Sequence, residues 1–234
     1  MIEVVALDGD DTLWHSEQMF VDTQARFRDL LAPHVDLDHA ALDARLVEVE
    51  RRNLSSFGYG VKAFTLSLIE TAIEVTDGRV PGRDVQAIVE LGKALLDHPV
   101  QLLDGVVEVV DALTDRYRVM IVTKGDLLHQ ESKVARSGLA EHLWAVEIVS
   151  EKDEATYERI LTRHAIDPAT FVMVGNSVRS DVLPVLALGA RAVHVPYHVT
   201  WVLEQPEDDR APQDFPVLGA FADLPGCIAA MDGA

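Results

Sequence analysis

Three aspartates stand together where a short apolar run ends, in Ile2-Glu3-Val4-Val5-Ala6-Leu7-Asp8-Gly9-Asp10-Asp11-Thr12. A β-branched run that stops at a group of acidic residues predicts a buried strand whose carboxyl end opens into a loop. Strand side chains alternate, so Asp8 and Asp10 are expected to point the same way, while Gly9 between them lets another group approach the backbone closely. Two converging carboxylates repel unless one takes up a proton or a cation compensates them. A hard divalent ion such as Mg2+ meets that need, because it binds through one or two carboxylates together with water and phosphate oxygens. Other uses of the stretch fit less well. Asp8-Gly9 and Gly9-Asp10 could mark a hairpin, but Thr12-Leu13-Trp14-His15 leads at once into a helical pattern rather than an alternating one. Counted as an EF-hand loop from Asp8, its terminal glutamate would fall on Met19, and the glycine is misplaced.

The formal net charge of −19 over 234 residues limits the partners. It argues against nucleic acid and anionic membranes, and it obliges any anionic substrate to find local cations within the site. The single cysteine, Cys227, excludes an internal disulfide framework. No basic segment precedes Asp8, and no stretch approaches the roughly 18 apolar residues of a membrane span. A cytoplasmic protein is the expectation.

Elements to position the aspartates follow from hydrophobic periodicity. Helices are predicted over 16–31, from Asp38 to about residue 54, over 61–75, and from about Asp84 to just before Pro99. The stretch Asn53-Leu54-Ser55-Ser56-Phe57-Gly58-Tyr59-Gly60 reads as a break between two of them. From residue 100 the rhythm changes. Asp104 is expected to cap a helix through Leu113, residues 117–122 form a strand ending at Thr123-Lys124-Gly125, and Asp126 opens a helix to about Ser137. A strand over 145–149, a helix over 153–164, a strand over 170–174 ending at Gly175-Asn176-Ser177, a helix over 178–188 and a strand over 191–195 complete the alternation. A tail follows with an acidic Pro-containing stretch, Gln205-Pro206-Glu207-Asp208-Asp209, and a short helix over 224–231. Strands alternating with helices of about a dozen residues predict βαβ units and a parallel sheet, whose reactive loops lie at the carboxyl ends of the strands.

The polar clusters at those ends resemble the haloacid dehalogenase superfamily, most of whose members are phosphatases, over nearly the whole chain. Asp8-Gly9-Asp10-Asp11-Thr12 is similar to its first motif. Thr123 with Gly125 behind it is similar to the second, and Lys152 in Ser150-Glu151-Lys152-Asp153 to the third. Gly175-Asn176-Ser177-Val178-Arg179-Ser180-Asp181 is similar to the fourth. The resemblance implies an α/β fold with a Rossmann-like parallel sheet core, helices on both faces, and an inserted all-helical cap. The core is then 1–14 with 100–234, and the cap is 15–99.

The resemblance also implies roles. Asp8 is the expected nucleophile, forming an aspartyl-phosphate, and Asp10 the general acid and then base. Thr123, Lys124, Gly125 and Lys152 are the expected phosphate-binding group, with the turn at Gly125 opening a helix N-terminus. Mg2+ is expected on the Asp8 and Asp181 carboxylates and the Asp10 backbone carbonyl. Asn176 stands where the family usually has an acid, and is expected to serve as an oxygen ligand or to hold water. Lys133 is the rival of Lys152 for the lysine role, and Lys124 and Arg179 are on the cleft side by position.

A small, soluble phosphomonoester, such as a sugar phosphate or a nucleotide, is the substrate class implied. Phe57 or Tyr59 in the break 55–60 and His15 beyond the first motif are candidates for selecting it. Two other outcomes remain open. A phosphomutase would return the same phosphoryl group to substrate, and a binding or regulatory member would have lost efficient catalysis, with Asn176 as its support. Asp10 speaks against dehalogenation, since dehalogenases of this fold lack that second aspartate and use no metal. Oligomeric state is not readable from the sequence.

Overall fold

The computed structural model describes residues 1–205 and 215–232. In chain order it contains strand β1 (Val4–Leu7), helices α1 (Glu17–Leu31), α2 (His39–Phe57), α3 (Val61–Val75), α4 (Gly82–Leu96) and α5 (Val106–Thr114), and strand β2 (Arg118–Lys124). Helix α6 (Leu127–Arg136), strand β3 (Ala145–Val149), helix α7 (Glu154–Arg163), strand β4 (Phe171–Gly175), helix α8 (Leu183–Ala187), strand β5 (Arg191–His194) and helix α9 (Leu224–Asp232) follow. The chain divides into two compact units, one of Met1–Ser16 with Val100–Ala234 and one of Glu17–Pro99.

The first unit is built on a five-stranded sheet in the order β3-β2-β1-β4-β5, every pairing parallel. Side-chain alternation divides each inner strand between two cores. Val5 and Leu7, Val119 and Ile121, and Val172 and Val174 pack on one face with residues of α5, α6 and α9. Val4 and Ala6, Met120 and Val122, and Phe171 and Met173 pack on the other with residues of α7 and α8. Helices therefore cover both faces, as a Rossmann-like sheet requires. All four β1 residues are fully buried, and each buried Val or Leu contributes roughly 1.5–3 kcal/mol. A one-residue slip would exchange the two faces, so this burial fixes the register, and with it the position of Asp8.

The second unit is helical. Phe27 and Leu31 of α1, Leu42 and Leu46 of α2, Phe64 and Leu68 of α3, and Ile88 and Leu95 of α4 form its core. Helix α3 meets α4 closely enough that a Cβ on Gly92 would lie 2.2 Å from Thr65 Oγ1, so a larger residue there would force the helices apart.

Several caps match the sequence. Asp38, Asp126 and Asp153 each accept a backbone N–H of the first turn that follows. Others do not. Asp104 is not the cap of α5. Gly105 takes that position at φ 78°, a left-handed conformation that a glycine adopts without cost. The expected break at Ser55-Ser56-Phe57 is helical, and α2 ends only at Gly58, with φ 69°. The single helix expected over 178–188 is a π turn, Val178–Val182, followed by α8, with Pro184 in the first turn of α8. Of the acidic stretch in the tail, all but Gln205 lies outside the described residues.

Candidate active site

The order of the sheet reverses at β1, which lies between β2 and β4, and the carboxyl ends at such a point form a natural crevice for ligands. The loops after β1, β2 and β4 start there. Asp8 continues β1 by donating its N–H to Val174 O at 2.9 Å. The chain then turns sharply. Gly9 O accepts N–H groups from Thr12, Leu13 and Trp14, and Asp11 lies at φ 61°. Asp11 is steadied there by accepting the Ser16 N–H at 2.8 Å. Gly9 is required by packing, since a Cβ there would lie 2.6 Å from the Trp14 ring and 3.2 Å from Thr123 Oγ1.

Asp8 and Asp10 lie near enough for the Asp10 charge to raise the Asp8 carboxyl, but this turn gives them different partners. The Asp8 carboxylate converges with that of Asp181. Lys152 Nζ lies 2.5 Å from Asp8 Oδ1 and 2.6 Å from Asp181 Oδ1, and all three side chains are buried. Thr12 Oγ1 stands 3.5 Å from Asp8 Oδ2, a long contact. Gly175 makes room for Asp181, since a Cβ there would lie 2.2 Å from Asp181 Oδ2. That oxygen accepts the Ser177 N–H at 3.0 Å.

Two carboxylates around one ammonium leave a negative excess. Burial, helped by the Asp181 charge, pushes the Asp8 carboxyl up to about 7 in spite of Lys152. Burial alone would lower the pKa of Lys152, but the two carboxylates hold it above the ordinary lysine range, so the ammonium stays charged.

Asp10 occupies separate surroundings. Its Oδ1 receives Lys133 Nζ at 2.5 Å and Trp14 Nε1 at 2.6 Å, and its Oδ2 receives Gln130 Nε2 at 3.1 Å. Burial would raise this carboxyl, but the Lys133 charge and the donors from Lys133, Trp14 and Gln130 outweigh it and hold Asp10 below the usual carboxylate range. Thus Lys152 serves Asp8 and Asp181, while its rival Lys133 serves Asp10.

Thr123 is buried, and its hydroxyl oxygen accepts Gln130 Nε2 at 2.7 Å, which leaves its own O–H to donate. The backbone donors expected after Thr123 are partly used. Gly125, at φ 138°, gives its N–H to Val149 O at 3.3 Å, and Asp126 takes the His129 N–H at 3.1 Å. Lys124 is engaged too. Its Nζ pairs with Glu204 and donates to Ser180 Oγ at 3.0 Å. Arg179 donates to Leu203 O at 2.7 Å.

The Asn176 carbonyl accepts His194 Nε2 at 3.0 Å. His15 Nδ1 meets the Tyr197 hydroxyl at 2.6 Å.

Two participants were missed in the sequence. Glu204 accepts the Ser177 and Ser180 hydroxyls, each at 2.7 Å, and ties the C-terminal segment to the loop that carries Asp181. Burial would raise its carboxyl, but Lys124 and the two serines keep it low and charged. It lies after the last strand, where periodicity gives no signal. Gln130 is one turn before Lys133 on α6, and that spacing of three could have suggested a shared face.

Residues 2–189 match the family described as haloacid dehalogenase-like hydrolase. No curated protein matches. A haloacid dehalogenase-like family hydrolase from Xanthomonas campestris is 43% identical, over 99% of this chain and 92% of that one, with a TM-score of 0.87. A 2-haloacid dehalogenase from Pseudomonas syringae shares the fold at 24% identity and a TM-score of 0.65, covering 99% of this chain and 100% of that one. A putative HAD-hydrolase from Bacillus subtilis, bound to magnesium, shares it at 13% identity and a TM-score of 0.67, covering 97% and 98%. The chain belongs to the haloacid dehalogenase-like hydrolase family.

Proposed function

We propose that the protein is a Mg2+-dependent phosphatase that hydrolyses a small phosphomonoester through an aspartyl-phosphate on Asp8. The observation that carries this reading is a second carboxylate, Asp10, held by donors of its own at the mouth of the same β1 loop. Displacement of halide from carbon needs one attacking carboxylate and no proton donor for the leaving group. An ester oxygen leaving phosphorus needs a proton.

In the first step an Asp8 oxygen bonds to phosphorus and the bond from phosphorus to the ester oxygen breaks, while Asp10, charged at rest, relays to that oxygen the proton carried by the phosphate monoanion of the substrate. In the second, Asp10 takes a proton from water as the water oxygen attacks phosphorus, and Asp8 is released as carboxylate with free phosphate. The Thr123 hydroxyl and the Lys152 ammonium hold phosphate oxygens and offset their charge. Lys124 and Gly125 then act mainly by shaping the turn into α6, since the Lys124 ammonium and the Gly125 N–H already have protein partners.

The donor set fits Mg2+. Asp8 and Asp181 are hard, buried oxygen donors with one cation between them. Among the described residues no group of three or more His, Cys, Asp or Glu side chains could hold a metal. The Asp10 carbonyl, water and substrate oxygens would therefore complete the shell, with Asn176 able to hold such a water. Mg2+ would supply charge neutralisation for the phosphoryl group.

The sheet unit would be the catalytic core and Glu17–Pro99 the cap that selects substrate. No helix of the described residues is long and apolar enough to cross a membrane.

The test is release of inorganic phosphate from a panel of small esters, with Mg2+ and with chelator, beside halide release from 2-haloacids. Metal-dependent phosphate release that Asp8→Asn abolishes supports the reading. Halide release alone would replace it with dehalogenation, and an isomerised ester without free phosphate would replace it with a mutase.

A further inference from the structure

We propose that Lys133 and Gln130, both on α6, are positioning residues that aim the Asp10 carboxyl at the leaving oxygen. The inference rests on the phosphatase reading for its catalytic meaning, but the contacts stand without it. Lys133 is 7% exposed and Gln130 1%. Neither is a surface group that happens to reach an acid.

The arrangement fixes both oxygens of one carboxylate. Lys133 Nζ and Trp14 Nε1 meet Oδ1 at 2.5 and 2.6 Å, while Gln130 Nε2 meets Oδ2 at 3.1 Å. A carboxylate held at one oxygen can still rotate about its χ2. One held at both oxygens from different directions cannot. Gln130 also joins this carboxylate to the rest of the site. The same NH2, whose two hydrogens are shared among three acceptors, reaches Thr123 Oγ1 at 2.7 Å and Lys124 O at 2.9 Å. The group expected to protonate the leaving oxygen and the hydroxyl expected to hold a phosphate oxygen thus share one amide, and their separation is set by α6.

The amide is itself held under constraint. Its Oε1 is buried and has no hydrogen-bond partner. Turning the amide over would point that oxygen at the Asp10 carboxylate, the Thr123 oxygen and the Lys124 carbonyl, all of them acceptors in this arrangement. A buried carbonyl without a donor costs about 1–3 kcal/mol, and that cost is tolerated here where it keeps the N–H groups on Asp10 and Thr123.

The experiment compares Lys133→Met, Lys133→Arg and Gln130→Leu on an alkyl phosphate and on p-nitrophenyl phosphate, using kcat/KM, which reports steps only through departure of the leaving group. An alkoxide needs the proton from Asp10, whereas p-nitrophenolate leaves without it. General acid catalysis is worth about 10²–10⁴-fold. The ratio of alkyl to aryl kcat/KM is expected to fall at least about tenfold in Lys133→Met and Gln130→Leu, and to recover in Lys133→Arg. Equal losses on both esters, or an unchanged ratio, overturn the proposal.

A second readout needs no turnover. The Trp14 indole N–H bonds to Asp10, so its amide-region NMR signal, assigned with Trp14→Phe, should move in Lys133→Met and likewise in Asp10→Asn. A Trp14 signal that stays in place in Lys133→Met overturns the positioning whatever the activity. A protein inert on every ester whose Trp14 signal moves would remove the phosphatase reading and keep the positioning of Asp10.

Discussion

Asp8 and Asp10 are two residues apart in the chain and live under opposite charge balances. Around Asp8, two carboxylates share the one ammonium of Lys152. Around Asp10, a single carboxylate has Lys133 to itself, with an indole and an amide besides. The first carboxyl is pushed up to about 7 and the second is held low. Identical side chains on one loop are thus given different chemistry by how many cations each can call on. The side with too few is where a divalent ion would be welcome, and the side with enough holds a carboxylate still.

The contrast breaks most completely at Asp8. Asp8→Asn should lower phosphate release by at least about a thousandfold, the order of loss seen when a nucleophile is removed from a coupled site, while the protein keeps its fold by circular dichroism. Next is Lys152→Met, which leaves two buried carboxylates with no cation. Breaking such a group costs about 3–5 kcal/mol, so urea unfolding should shift to markedly lower concentration. Added Mg2+ should restore more stability to this variant than to the wild type.

Chelator sharpens the contrast by pH. In metal-free protein the Asp8 carboxyl binds its proton more tightly folded, at about 7, than unfolded, at 3.8. Its contribution is therefore fully present below 3.8 and is lost as pH rises towards 7 and beyond. Unfolding midpoints measured across that window should fall with pH in chelator more steeply than in Asp8→Asn. Mg2+ should offset the fall.

The smallest effect is on the other side of the contrast. Burial first, and then the Lys133 charge, depress His129 to about 4 from 6.5. Its contribution is present above 6.5 and is lost as pH falls through 4. Lys133→Met should let the His129 pKa drift upward, as measured by NMR titration of the ring.

Much of this was readable in the chain because polar residues interrupting apolar runs mark strand ends. Asp8, Thr123, Lys152 and Asp181 could be placed at loops that a parallel sheet gathers together, and the sheet does gather them. Helix α3 has the predicted bounds, since Gly60 and Asp77-Gly78 punctuate it. What periodicity could not give was the path of the chain between elements. The turn at Gly9, with three bonds to one carbonyl, gives Asp10 partners that Asp8 does not share, a feature with no pattern in the sequence. Ser55, Ser56 and Phe57 look like a break by composition, yet Asn53, bonded to Ser67 and Glu70 of α3, helps to carry α2 onward to Gly58. Glu204 reaches Ser177 and Ser180 from beyond the last strand, and no local signal announces so distant a partner.

The place of β1 has a consequence for how the protein is made. The strand that begins the chain is the central one, and its hydrogen-bonded neighbours start at Arg118 and Phe171. During synthesis β1 emerges from the ribosome long before either neighbour exists, and contacts of such separation form slowly. The stretch made in between, Glu17–Pro99, has its own helical core and can condense while β1 waits. The nascent chain therefore carries an apolar, unpaired segment at least until Arg118 and the residues after it have been made, and early shielding of that segment by a chaperone would favour yield.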